Sequence, residues 1–417
     1  MLYLFSLLLL IVADVASSQS LTWKTLSLPK ANDRYNDVWF VDPMTGWAII
    51  PSDGFKEDGM IYKTTDGGAT WEMQFKSYKH LRSVCFLDPL VGFVGFLFDG
   101  TSSPLLKTTD GGETWNTVEI TGSMPSGICG MMRVNDSTIV GTGQVQSPAH
   151  FIRTTDRGLT WTSVALSDNE RDWAIDCYFW SSDSGIVAGG KMGELGMITS
   201  HIWQTTDGGE HWTDAYSGPV QNPQQGEWCW KISFPTPDVG YIAFEQNRGP
   251  SRYLKTTDRG VTWERHEIPN ATIHLQGCGF ITETHGWMGG RGNGAYVTTD
   301  GGSTWSTTPD IKFINRLRFF GDSIGYAAGL QVYKLSKETS DVEVSAMPDV
   351  AISYDARRAS LNVMSGSRST LSISDILGRV VMGSEIEEDM QQVDVSRLPS
   401  GVYVAQLSDG RSLKFSR

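Results

Sequence analysis

Six copies of one eight-residue phrase constrain this chain more than anything else in it. They read TTDGGATW at Thr64–Trp71, TTDGGETW at Thr108–Trp115, TTDRGLTW at Thr154–Trp161, TTDGGEHW at Thr205–Trp212, TTDRGVTW at Thr256–Trp263 and TTDGGSTW at Thr298–Trp305. Their aspartates stand 42 to 51 residues apart. A period of that length marks one supersecondary unit written repeatedly, which must stack on its neighbours to bury an apolar face. Within the phrase, Asp-Gly is a hairpin signal because the turn needs positive φ. The carboxylate can accept hydrogen bonds from the turn's amides, and the threonine hydroxyls can add more. Glycine at 68, 112, 158, 209, 260 and 302 occurs in every copy, whereas the position before it becomes arginine at Arg157 and Arg259. The second position is therefore the one expected to demand glycine. Asp66, Asp110, Asp156, Asp207, Asp258 and Asp300 are assigned a structural role on this basis. So are the tryptophans expected to cover the turns, namely Trp71, Trp115, Trp161, Trp212, Trp263 and Trp305.

A second element precedes each phrase. It reads VWFVDPMTGW from Val38, VCFLDPLVGF from Val84, GMMRVNDSTI from Gly130 and CYFWSSDSGI from Cys177. It continues as ISFPTPDVGY from Ile232, CGFITETHGW from Cys278 and LRFFGDSIGY from Leu317. Each copy is a short apolar strand, a polar turn and a second apolar strand. A third strand leads into the Asp-Gly turn and a fourth starts at its Thr-Trp, which makes the four antiparallel strands of a propeller blade. The strand–turn–strand element occurs seven times and the Asp-Gly phrase six times. The last copy lacks a fourth strand, while Leu21–Pro29 (LTWKTLSLP) is such a strand without a blade. The predicted fold is all-β: a seven-bladed β-propeller over residues 19–336, closed by its N-terminal strand, with a small C-terminal β-sandwich after it. Closure leaves no exposed sheet edge.

The bulk composition agrees. With 45 Gly, 15 Trp and 19% charged residues, the chain suits many turns around an aromatic core. A net charge of −13 argues against a nucleic-acid backbone or an anionic membrane as partner. Residues 1–18 are predicted to be a signal peptide, from the apolar run Leu2–Val12 and the small residues before a cut after Ser18. Beyond it no window reaches the roughly 20 apolar residues of a membrane span, so none is expected in the mature chain. Cys85, Cys129, Cys177, Cys229 and Cys278 are odd in number and match no zinc spacing. They are expected as small apolar core thiols, with no metal and no cofactor.

The pattern Ser/Thr-x-Asp-x-Gly-x-Thr-Trp resembles the Asp-box, or bacterial neuraminidase repeat. It is matched at Thr64, Asp66, Gly68, Thr70 and Trp71 and in the other five copies, with His211 replacing one threonine. The form over Gly286–Trp305 looks most like the photosystem II stability/assembly-factor-like branch. The resemblance implies the propeller but not the function, because Asp-boxes occur in sialidases, xyloglucanases, sortilin-type receptors and non-enzymatic assembly factors. After a linker at 337–350, residues 351–417 resemble the type A C-terminal sorting domain of Bacteroidetes-type type IX secretion. The matching stretches are Asp375–Val381, Asp394–Val404 and Lys414-Phe415; the usual YPNP-like opening is replaced by Ile352–Ser365. This resemblance implies a small β-sandwich that engages the type IX machinery. It also implies passage through the periplasm to the outer-membrane surface or the medium.

Two functions are weighed on these residues: a non-enzymatic binding or assembly propeller for a glycan or surface-protein ligand, and a sialidase-like or other glycoside hydrolase. The sialidase resemblance would imply three arginines on a carboxylate, a Tyr/Glu nucleophile pair and six blades. Arg34, Arg82, Arg171 and Arg316 are candidates, but the arginine signature is missing and the blades count to seven. Hydrolysis would need two carboxyl groups about 5–5.5 Å or about 6.5–9.5 Å apart, and Asp37, Asp172, Asp176 and Glu227 are expected near one face. Propeller ligands usually meet the face where the innermost strands begin. The equivalent position ahead of each inner strand holds Arg34, His80, Ser126, Trp173, Trp228, His274 or Phe313. Beside these lie Tyr35, Arg82, Arg171, Trp230 and Arg316. Aromatic faces with arginine nearby suit stacking on a sugar or gripping a peptide's side chains and carboxylates. The alternative is that Trp173, Trp228 and Trp230 only plug the channel between blades.

Overall fold

The computed structural model describes residues 21–29, 34–52, 58–97, 103–143, 148–292 and 294–337 in the repeat region. In the tail it describes 350–355, 359–365, 368–375, 379–387, 389–399, 401–408 and 412–416. The predicted signal peptide, and all of the predicted linker but its two end residues, lie outside them. The chain divides into two compact units, Met1–Glu338 and Thr339–Arg417.

The first unit contains seven antiparallel sheets among the described residues. Six have four strands, and the third gains a fifth, Thr121–Gly122, parallel to Thr162–Ala165. The sheets begin with the strands Asp37–Phe40, Leu81–Phe86, Gly130–Arg133, Trp173–Phe179, Glu227–Ser233, His274–Phe280 and Arg316–Phe320. The last sheet takes its outer strand from the other end of the chain. Leu21–Thr25 runs antiparallel to Val332–Lys337, with Trp23 opposite Leu335. That pairing satisfies a row of backbone groups which the short seventh repeat leaves open.

One recurring contact joins sheet to sheet. In six copies a phenylalanine lies against the glycine six residues later, so close that a Cβ there would enter the ring, as at Phe86 and Gly92. The outer face of that ring can stack on an aromatic of the preceding sheet. Trp47 stacks on Phe86 and Tyr241 on Phe280, each at 3.5 Å. The same stack sets Tyr326 of the last sheet on Phe40 of the first, at 3.5 Å and 10°. Such pairs add about 0.5–1.5 kcal/mol beyond the area they bury.

The Asp-box is a closed hydrogen-bond circuit. Asp66 accepts from the Thr64 hydroxyl at 2.8 Å and from the Thr70 amide at 2.9 Å, and the Thr70 hydroxyl donates to its second oxygen. The Gly68 amide donates to the Thr64 hydroxyl. In the fourth box the His211 ring takes the threonine's place, 2.7 Å from Asp207. The turn differs from the expectation in one respect: both central positions are left-handed, with Arg157 and Arg259 at φ 62°. Side chains are tolerated there, whereas the second glycine is pressed by a neighbouring ring, Phe93 at Gly158 and Phe151 at Gly209. Of the six box tryptophans only Trp161 is fully buried; the others are half-buried.

All five cysteines are buried and none is in a disulfide, and burial pushes the thiols of Cys85, Cys177, Cys229 and Cys278 up. The second unit has a three-stranded sheet (Val350–Asp355, Ser360–Ser365, Asp389–Asp394) and a four-stranded one (Ser369–Asp375, Val380–Ile386, Val402–Leu407, Ser412–Ser416). Leu361 and Val393 of the first sheet share a core with Leu371, Tyr403 and Phe415 of the second.

Candidate functional site

The inner strands meet around an axis, and what fills that axis defines the site. Arg316 of the seventh sheet reaches Asp176 of the fourth, donating at 2.8 and 2.9 Å, and lies 3.3 Å from Asp37 of the first. Lys231 stands 4.0 Å from Asp176, and Arg318 donates to Asp37 at 3.3 Å. Asp37, Asp176, Lys231 and Arg316 are all buried. Burial pushes the Lys231 ammonium down to about 7, helped by Arg316 and opposed by Asp176. Carboxylates taken from water need such partners, so the cluster reads as a plug that binds opposite blades together.

The plug leaves a pocket at each end. Where the inner strands begin, a pocket of about 430 Å³ is walled by residues from six sheets. Arg34, His80, Arg82, Trp173, Trp228 and Trp230, all expected in a binding face, meet there. The rings of Trp173 and Trp228 lie 5.0 Å apart at 54°. Arg82 lies 5.3 Å from the Trp230 ring centroid and donates to Asn36. The Trp230 indole donates to Asn315 at 3.1 Å. At the other end of the strands a pocket of about 570 Å³ is lined by Trp39, Tyr178, Phe234 and Phe319 among others.

Several expected site residues lie elsewhere. Tyr35 is fully buried and donates to the Pro29 carbonyl. Arg171 is exposed and donates to the Gly193 carbonyl. Ser126, His274 and Phe313 are not among the residues that line the pocket, and Arg316 belongs to the plug. The four candidate acids are also corrected, because each is buried and occupied. Asp37 and Asp176 hold Arg316, while Asp172 accepts from Asn169 and the Met192 amide. Glu227 is clamped by Arg265 at 2.8 Å and Arg252 at 3.2 Å. None of the four lines the 430 Å³ pocket.

Four polar residues of that pocket were missed: Asn36, Glu245, Gln276 and Arg291. Register could have found two of them, because Glu245 is the antiparallel partner of Trp228 and Arg291 that of His274. Gln276 accepts from Arg34 and donates to Glu245 at 2.7 Å. Among the described residues one cluster has metal-ligand types in reach of one another, Asp207, Glu210 and His211. It is exposed, and Asp207 and His211 are already engaged with each other in an Asp-box.

Residues 15–139 match the family profile of the photosynthesis system II assembly factor YCF48. Residues 355–417 match the secretion system C-terminal sorting domain. The chain thus carries a segment similar to YCF48 and, at its other end, a secretion sorting tail. Among solved structures it is similar to YCF48 bound to D1 peptide, at 21% identity and TM-score 0.53, covering 76% of this chain and 97% of that one. YCF48 from Cyanidioschyzon merolae is similar at 17% identity and TM-score 0.55, covering 75% and 98%. PorZ, an essential bacterial surface component of the type IX secretion system of Porphyromonas gingivalis, is similar at 13% identity and TM-score 0.52. That match covers 94% of this chain and 60% of PorZ. At these identities the likeness is one of fold. None of the curated proteins compared gives a significant match. The sorting tail directs the chain to the cell surface or the extracellular space through the type IX machinery. Among the described residues no helix is long and apolar enough to cross a membrane.

Proposed function

We propose that this exported YCF48-like propeller is a non-enzymatic binding module that captures an extracellular ligand in the pocket where its inner strands begin. The observation that carries the reading is the convergence of Trp173, Trp228 and Trp230 with Arg34, Arg82 and Arg291 in a single pocket of about 430 Å³. That volume falls in the range of small-ligand sites, about 300–1,000 Å³. The tryptophans are half-buried, so part of each ring remains available for contact. Among the described residues one carboxylate, Glu245, lines the pocket, whereas glycoside hydrolysis ordinarily uses two. A similar fold is described with a peptide bound, which supports a ligand role for such propellers.

The test screens the mature protein against arrayed glycans and peptides, alongside Trp228→Ala and, as a control at the opposite pocket, Phe319→Ala. Capture lost in the first variant and kept in the second is the expected result. Turnover of any arrayed glycoside, or capture indifferent to Trp228, would overturn the reading.

A further inference from the structure

The polar groups of this pocket carry a more specific message than its aromatics. Arg291 and Glu245 line the same cavity, yet they form no ion pair with each other. Arg291 is exposed and has no hydrogen-bond or ion-pair partner among the described residues. Glu245 receives Gln276 on one carboxylate oxygen, and among the described residues no group is bonded to the other. Opposite charges in one pocket ordinarily pair when their side chains can reach. Both line the one cavity, beside the indoles of Trp173, Trp228 and Trp230.

From this geometry we propose that the pocket binds a carboxylated sugar, a uronic-acid unit of an extracellular polysaccharide. The inference rests on the binding reading above and names its ligand class. Trp173 and Trp228, at 5.0 Å and 54°, offer two inclined apolar faces to the C–H side of a pyranose ring. Arg291 supplies a planar fork that matches a carboxylate. The open oxygen of Glu245 accepts a ring hydroxyl of the sugar. The walls make their polar contacts with side chains, and no open sheet edge is needed for main-chain pairing, the usual way of gripping an extended peptide. Counting formal charges, Arg34, Arg82 and Arg291 outweigh Glu245 in a protein whose net charge is −13. Positive charge is thus concentrated where the ligand would enter, which favours an anion over a neutral glycan.

Calorimetric titration of the mature full-length chain decides the matter. The probes are oligomers of galacturonate, glucuronate and mannuronate, the same oligomers with carboxyl groups reduced to alcohols, and a hexaglutamate peptide. At least one uronate oligomer is expected to bind about tenfold more tightly than its reduced form. Arg291→Gln, a change at an exposed residue with no partner to lose, should erase that preference while the melting temperature stays put. Glu245→Gln should weaken the uronate and its reduced form alike. Equal affinity for native and reduced oligomers, or no binding of any of the three, would overturn the uronate assignment. Tight binding of hexaglutamate that is lost in Trp228→Ala would also overturn it, while leaving the binding reading standing. If none of these probes and none of the arrayed ligands binds in a Trp228-dependent way, both fail.

Discussion

Replacing Arg316 with methionine tests the plug on the propeller axis. Arg316 is 6% exposed and its guanidinium sits between the carboxylates of Asp37, 1% exposed, and Asp176, 2% exposed. Burial pushes the Asp176 carboxyl up, yet Arg316 and Lys231 together pull it below its ordinary value. In Arg316→Met, Asp176 keeps the Ile232 amide at 3.1 Å and Lys231 at 4.0 Å. Asp37 keeps the Val38 and Val84 amides and Arg318. Removing one partner of a buried ion pair costs about 3–5 kcal/mol, and the surviving amide donors place this variant toward the lower end. Arg316→Met/Asp176→Leu removes both sides of the closest pair and should recover at least half of that loss. Equilibrium urea unfolding measures it, provided the slope is unchanged so that midpoints report stability alone. The sign of the pH effect is also set. Arg316 is the largest of the groups that hold the Asp176 pKa below its ordinary value, so the pair's contribution is present above the ordinary carboxylate pKa and is lost as pH falls through the lowered one. The stability gap between the parent and Arg316→Met should therefore narrow as pH falls below about 4. A loss below about 1 kcal/mol, or a double variant no better than the single one, would refute the idea that this contact ties opposite blades together.

Three further outcomes follow from the same geometry. Lys231, held near pH 7 by burial and then by Arg316, binds its proton less readily folded than unfolded, so stability should rise as pH climbs from 7 towards 10; a stability profile for Lys231→Met should lack that rise, and an unchanged profile would contradict the assignment. Gly209→Ala puts a Cβ into the Phe151 ring at φ 97° and should destabilise by more than about 1 kcal/mol in urea melts, whereas a neutral effect would show that the turn adapts. Hydrogen bonds from the Thr70 and Thr304 side chains, then from their amides, hold Asp66 and Asp300 at about 2; because these folded values lie below the unfolded one, the boxes' contribution is complete above about pH 4 and lost as pH falls through 2, and an acid titration by circular dichroism in which Asp66→Asn/Asp300→Asn loses as much stability as the parent between about pH 4 and 2 would count against it.

What the sequence determined by itself was everything that is local in the chain. The Asp-box closes within a few residues: Asp66 bonds Thr64 and Thr70. Its residues therefore announced the turn, the blade period and the blade boundaries without any knowledge of the ring. The tail's alternating strand at Val402–Leu407 was legible for the same reason, since period-two burial is written residue by residue. The spare strand at Leu21 pointed to the sheet it joins because the seventh repeat visibly lacked one. The site is a different kind of object. Its walls come from six sheets, and which ring positions face the pocket depends on strand register and bulges, such as the shift between Cys229 and Lys231. Trp228 and Arg34 could be anticipated from their place ahead of a strand, but Glu245 and Arg291 enter from the second strand of their hairpins. Arg316 and the candidate acids were misread because their chemistry suits a ligand site and a buried plug equally well. Only the packing of the sheets on one another brings Arg316 to Asp176, 140 residues away, and takes both from water, where a charged pair becomes structure rather than an open binding surface.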